Sequence, residues 1–372
     1  MKLSIVTAVI VIIVAVGASA ALYYANMPSP PSKMIKLREA TFGTDMPYLT
    51  NSVDFLAKDL GFYEKEGLDF EITGLASTPL VLNALKAGQV DISGMSGSTA
   101  LKLDATGDMA TVVFVSYTGH GSPSVSVVVG KKNIASIQDL KGKKIGVGAI
   151  GGADQVTTIP ILRAYGLDPD KDIQWIAIGS PAARITALMS GQIDAVTTSI
   201  MTWIPISGDP NLKIIINGEE YSKILPSVGG TITTVDFMKK NPEAIQKYTR
   251  AIIKASRYFA ENKDAWIDAV LKRRPDLTRE NVSKVYDFVR PGWAVNGGIN
   301  LDDYNKAFDS WYQLPEFKDV PKVTPSSWVN TQFIDQVLKE IGVYKDRNID
   351  DPGRSISGLM QVTVPLAKEA DR

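Results

Sequence analysis

The octet Ala84-Leu85-Lys86-Ala87-Gly88-Gln89-Val90-Asp91 returns as Ala187-Leu188-Met189-Ser190-Gly191-Gln192-Ile193-Asp194, about 103 residues further along the chain. Each copy reads as the close of an amphipathic helix, a glycine stop and the opening of a short strand at Val90 or Ile193, which is half of a βαβ crossover. The period is longer than the roughly 20–50 residues of a solenoid unit, so it favours two similar α/β lobes over a stacked array.

The surrounding pattern extends the repeat. In the first half, strands are expected at 38–43, 70–73, 91–94, 111–115 and 125–129, with helices over 48–60, 77–87 and 98–105. In the second, strands over 144–148, 174–178, 194–198 and 213–217 alternate with helices over 153–165 and 180–190. Such alternation implies parallel sheets. After a strand at 232–234 the period changes to helical over 242–262, 264–273, 279–288, 301–311 and 327–341. These helices are expected to complete the first lobe, the other reading being a separate helical domain. Residues 346–372 carry Gly, Pro and charge without sustained periodicity and are expected to form a loose tail.

Leu3 to Tyr24 contains no charged residue and follows Lys2. Residues 1–25 therefore read as a signal peptide or a membrane anchor. Ala18-Ser19-Ala20 suits cleavage, while the length and the Tyr23-Tyr24 pair suit an anchor. The Pro/Ser-rich stretch 26–35 reads as a tether, and either reading puts the body outside the cytoplasm, secreted or membrane-anchored.

Cysteine is absent and His120 is the only histidine. Disulfides, thiolate metal sites, cysteine nucleophiles and multi-histidine metal centres are thereby excluded, as is a Ser-His-Asp machine built away from His120. The 40 basic and 40 acidic side chains balance, and no basic stripe with interleaved aromatics points to nucleic acid.

The run Phe55-Leu56-Ala57-Lys58-Asp59-Leu60-Gly61-Phe62-Tyr63-Glu64-Lys65-Glu66-Gly67-Leu68, the two octets, Asp139-Leu140-Lys141-Gly142-Lys143-Lys144-Ile145-Gly146-Val147 and Asn241-Pro242-Glu243 occur in this order. Together they resemble the solute-binding proteins of ABC importers in the nitrate, sulfonate, taurine and thiamine-precursor class, over about residues 36 to 345. The resemblance implies an α/β fold: a two-lobed, type II periplasmic-binding-protein clamshell, each lobe a mainly parallel sheet flanked by helices. Its expected lobes are 36–128 with 228–345, and 129–227.

The resemblance also implies a cleft at the carboxyl ends of the strands, where helix starts offer unpaired N–H groups. Thr44, Asp45 and Tyr48 lie where the family places ligand contacts, although Thr44 or Asp45 also suits a plain helix cap. Ser77 and Ser180 are equivalent capping serines that need no ligand to explain them. Ser96, Ser98 and Thr99 form a hydroxyl patch beside Gly94 and Gly97, open to close approach of a ligand. Thr197, Thr198 and Ser199 are the second-half counterparts of the turn at 94–96.

Gly151 belongs to the loop Gly148-Ala149-Ile150-Gly151-Gly152-Ala153-Asp154, which has no hydroxyl where many relatives are hydroxyl-rich. Asp154 there would repel an anion. Arg184, in the first turns of a helix, is a candidate clamp for an anionic group. Trp203 and Trp293 are candidate aromatic walls or packing residues, and His120 a loop histidine.

The expected function is an extracytoplasmic solute-binding subunit of an ABC importer. It would be a monomer without cofactor or catalysis, capturing a small anion or small organic solute and presenting it to permease and ATPase subunits. A sensory ectodomain is the first alternative. An enzyme related to those making a thiamine pyrimidine precursor is the second, and the missing cysteines and single histidine count against it.

Overall fold

The computed structural model describes residues 34–42, 52–75, 78–105, 111–115, 124–151, 153–225, 228–290 and 293–345. The apolar leader, the expected tether as far as residue 33, the tail after 345, the 44–48 loop, Ser77 and His120 lie outside them, and Ile35, the last residue of that expected tether, opens the first strand. No helix among the described residues is long and apolar enough to cross a membrane.

Ten strands are formed: β1 (Ile35–Phe42), β2 (Leu68–Leu75), β3 (Ile92–Ser96), β4 (Thr111–Val115), β5 (Ser126–Lys131), β6 (Lys143–Val147), β7 (Ile173–Ala177), β8 (Ala195–Ser199), β9 (Leu212–Ile216) and β10 (Gly229–Thr234). They make two five-stranded sheets, ordered β2-β1-β3-β10-β4 and β7-β6-β8-β5-β9. The two orders are the same pattern, with one strand donated late to the first sheet and early to the second.

That donated strand makes both sheets mixed. β1 and β3 pair in parallel, whereas β10 runs antiparallel to both β3 and β4. In the second sheet β6 pairs in parallel with β7 and β8, and β5 runs antiparallel to β8 and β9. The parallel expectation therefore holds for the βαβ units, and the crossing strands are the exceptions. β5 starts at Ser126, so a division at 128/129 falls inside a strand of the second sheet.

The octets match atom for atom. Ala84 O accepts from the N–H groups of Gln89 (2.9 Å) and Val90 (3.4 Å), as Ala187 O does from Gln192 (2.9 Å) and Ile193 (3.4 Å). Gly88 and Gly191 take positive φ, 65° and 79°, at the helix stop. The last residue of each octet then clasps the neighbouring strand. Asp91 Oδ2 accepts the Arg38 N–H at 2.9 Å, and Asp194 Oδ2 accepts the Lys144 N–H at 3.0 Å. In the first copy the Arg38 guanidinium adds an ion pair to Asp91 at 2.6 Å.

Helices cover the sheets. One core gathers Ala40, Val81, Met95, Val113 and Ile232 with Tyr304, Phe308, Trp311, Trp328, Ile334 and Val337. The late helices Leu301–Trp311 and Gln332–Ile341 thus pack on the first sheet. The helix expected over 327–341 is broken into Pro325–Trp328 and Gln332–Ile341, because Val329 bridges to Val113 and the Asn330 N–H bonds Val113 O at 2.8 Å. A second core joins Val128, Leu140, Ile145, Ile161, Leu162, Ile216 and Tyr221. The helix Gly218–Ile224 was not expected, although Asn217 and Glu220 form a capping box that the sequence displays.

Besides Asp91, two acids are buried in the first lobe among the described residues. Glu39 on β1 is 0% exposed and neither carboxyl oxygen has a hydrogen-bond partner. Asp54, on the helix Ser52–Asp59, accepts from Tyr248 Oη at 2.6 Å and Tyr63 Oη at 3.3 Å. Tyr63, Phe70 and Tyr248 enclose the pair in stacked and tilted rings 3.9–5.6 Å apart. Burial pushes the Asp54 carboxyl up to about 6, against the two phenol hydrogen bonds, and pushes Glu39 well above the usual range with a further contribution from Asp54.

A folded-state value raised above the unfolded one gives stability that is complete at low pH and is lost as pH rises through the folded value. Unfolding free energy should therefore fall between about pH 4 and pH 6 as Asp54 ionises, and fall further as Glu39 does. Glu39→Gln should flatten the alkaline part of this slope and stabilise the protein at pH 8 by on the order of 1–2 kcal/mol, read from urea unfolding at several pH values.

Candidate functional site

The chain passes between the sheets at one particular edge. Gly229, opening β10, lies opposite Ser96 at the carboxyl end of β3, and Ser126, opening β5, lies opposite Ser199 at the carboxyl end of β8. The Gly97 N–H donates to Val228 O at 3.0 Å, and the Ile200 N–H donates to Val125 O at 2.8 Å. Both connections thus meet the carboxyl edges of the parallel strands, the edge where open α/β sheets take ligands.

On the first sheet, β3 ends in an exposed Ser96 and leads directly into the helix Gly97–Ala105. Ser96 Oγ is 3.0 Å from Thr99 Oγ1 and 3.4 Å from Ser98 Oγ, so the three expected hydroxyls do share one turn. At Gly97 the missing side chain makes room for the protein's own groups. A Cβ there would lie 2.6 Å from the Trp311 ring and 2.9 Å from Val228 O.

On the second sheet, the corresponding turn keeps the same bond. Ser199 Oγ and Thr202 Oγ1 are 3.3 Å apart at the start of the short helix Ile200–Trp203. Ile200 stands where the first copy has Gly97, and Met201 where it has Ser98. Thr197 points to Thr158 (3.4 Å), which also meets Tyr221 Oη at 2.7 Å. Thr198 is 6% exposed and its hydroxyl has no partner. Trp203 is half-buried, while Trp293 is a packing residue edge-on to Tyr286 at 5.4 Å.

The loop after β6 is closed on itself. Asp154, in the first turn of the helix Ala153–Ala164, accepts the Gly148 N–H at 2.7 Å and the Gln155 N–H at 3.0 Å. The Gly151 N–H, in positive φ at 74°, donates to Gln155 Oε1 at 2.6 Å. Arg184 is buried, donating through one nitrogen to the Asp154 carboxylate and to Thr197 O (3.0 Å). Its Nε has no partner. Ser180 caps the helix Pro181–Met189, its hydroxyl accepting the Ala183 N–H at 3.2 Å. Among the described residues no group of three or more His, Asp or Glu is placed to hold a metal ion.

The NMT1/THI5-like family model matches residues 51–265, a span that holds both hydroxyl turns and the Asp154 loop. The chain belongs to the NMT1/THI5-like family. Within it, a Brucella abortus (strain 2308) protein that carries the name of a binding protein is 29% identical over 232 residues, 60% of this chain and 68% of that one. The 4-amino-5-hydroxymethyl-2-methylpyrimidine phosphate synthase THI12 of Saccharomyces cerevisiae is 25% identical over 297 residues, 71% of this chain and 86% of that one. The fold is shared with the periplasmic aliphatic sulphonate binding protein SsuA of Escherichia coli, with a TM-score of 0.63 at 18% identity, covering 79% of this chain and 96% of that one.

In this NMT1/THI5-like chain the sequence located the first hydroxyl turn in full and the second incompletely. Thr202 was missed, although the 103-residue offset applied to Thr99 points to it. The Arg184–Asp154 pair was also missed, because the partners come from different helices and no local spacing connects them.

Gly97→Ala should force the Trp311 ring and the Val228 carbonyl apart, destabilising the protein by about 1–3 kcal/mol as overpacking does. A urea midpoint equal to that of the parent protein would show that this approach is not needed.

Proposed function

We propose that this protein is the extracytoplasmic solute-binding subunit of an ABC importer, without catalysis of its own. The observation that carries this reading is the matched pair of Ser-x-x-Thr turns at the carboxyl edges of two duplicated sheets, both set where the chain crosses between lobes. A ligand touching both turns would bind the closed form better than the open one and so draw the lobes together about the crossing segments. The closed form would then be the species presented to a permease and its ATPase.

A small organic solute fits the site better than a bare inorganic anion. Ile150 is 63% exposed at the tip of the second-lobe loop, and Trp203 stands next to Thr202 in the neighbouring turn. The yeast relatives named as synthases favour a second, enzymatic reading within the family. The absence of cysteine and the single histidine remove thiol chemistry and leave one imidazole, which counts against it.

Thermal unfolding of the full chain against nitrate, alkylsulfonates, bicarbonate, carboxylates, pyrimidines and aromatic acids should show a saturable rise in melting temperature with an organic class. Ser96→Ala and Thr202→Ala should each weaken that ligand by roughly 3–10-fold, the worth of one hydrogen bond. Unchanged affinity in both variants would overturn the assignment of the turns as the binding surface.

A further inference from the structure

The seat that an anion would take on the second lobe has all the parts such a seat needs. The loop after β6 brings the Gly148 N–H to the start of a twelve-residue helix, where backbone N–H groups and the helix dipole favour negative charge. Arg184 is 7% exposed and adds a guanidinium held by Thr197 O. A free carboxylate, sulfonate or nitrate placed here would be bound by charge-assisted hydrogen bonds.

The seat is already filled by the protein. Asp154 Oδ2 accepts from Gly148 N–H at 2.7 Å and from Arg184, while Asp154 Oδ1 accepts from the Gln155 N–H at 3.0 Å. The Gly151 N–H is turned to Gln155 Oε1 at 2.6 Å. Thr158 fixes the same helix turn by donating to Asp154 O at 2.7 Å. Asp154 and Arg184 cancel each other's charge, and the Gly148, Gly151 and Gln155 N–H groups and one Arg184 Nη are engaged, while the buried Arg184 Nε has no partner. Yet the Asp154 side chain is 23% exposed, leaving lone pairs open to solvent next to the exposed Ile150.

We propose that Asp154 is a built-in occupant of the second lobe's anion seat, so that the solute meets this lobe through an uncharged or cationic hydrogen-bond donor flanked by apolar surface, such as an amide, amine or amidinium. This rests on the reading that the carboxyl edges bind solute, and it assigns Asp154 as the residue that sets ligand charge. Arg184 positions that carboxylate rather than clamping the ligand.

The test is a gain of anion binding. Full-length wild type, Asp154→Ser and Asp154→Ser/Arg184→Gln are titrated with sodium nitrate and sodium methanesulfonate by calorimetry, with folding checked by circular dichroism. Wild type should give no saturable heat. Asp154→Ser frees the Gly148 N–H and the guanidinium, and should bind at least one of the two anions about tenfold or more tighter than wild type; the double variant should lose that gain. Asp154→Asn, which keeps the shape, should move affinity in the same direction.

Failure of both Asp154→Ser and Asp154→Asn to bind either anion more tightly than wild type, whether or not wild type itself binds, would overturn the inference and leave the transport reading standing. Loss of the transport reading has a different signature, since there Ser96→Ala and Thr202→Ala would leave ligand affinity unchanged while the anion gain at position 154 still appeared. If Asp154→Ser does not fold, the wild-type titration and the Asp154→Asn variant decide the matter.

Discussion

The architecture depends on one constraint: each sheet takes its fourth strand in spatial order from the far side of the chain crossing, and takes it antiparallel. β5 arrives from the first lobe and pairs between β8 and β9, while β10 returns from the second and pairs between β3 and β4. Because these strands begin opposite Ser199 and Ser96, the crossings are held at the carboxyl edges of both sheets. The strands that follow each crossing and the hydroxyl turns therefore share one edge of each sheet.

Much of this could be read from the chain because it is written twice. The octets gave the helix stop and strand start, and the structure repeats their hydrogen bonds to within a few tenths of an ångström. The 103-residue offset even contains the Ser199–Thr202 pair, once Ser96 and Thr99 are taken as its origin. What could not be read were long-range choices between alternatives of equal local quality. Val329 sits in a helical period, yet it joins Val113 because a sheet edge is within reach. Arg184 has the spacing of a surface helix residue and is buried only because Asp154, thirty positions away, comes to meet it.

The two lobes differ at one buried site, although Arg38 pairs with Asp91 in the first as Arg184 pairs with Asp154 in the second. The second matches its buried charges: Arg184 to Asp154, with Thr158, Thr197 and Tyr221 in one hydrogen-bonded chain. The first buries Glu39 beside Asp54 without a cation, at a strand position where the second sheet has Ile145, since Arg38 and Lys144 occupy the same place in the Asp clasps. Ring packing around Tyr63, Phe70 and Tyr248 keeps water out, so neutralisation by protons is the available compensation.

The Asp91 and Asp194 clasps lie at the amino ends of β3 and β8, the edge away from the hydroxyl turns. What holds each βαβ unit in register and the turns that carry the hydroxyls are thus separated by the length of a strand. Side chains in these four-residue turns can therefore change while the stitching at the opposite edge is left as it is. The duplicated scaffold is one frame carrying two turns that have diverged separately, Gly97 and Ser98 in the first standing as Ile200 and Met201 in the second.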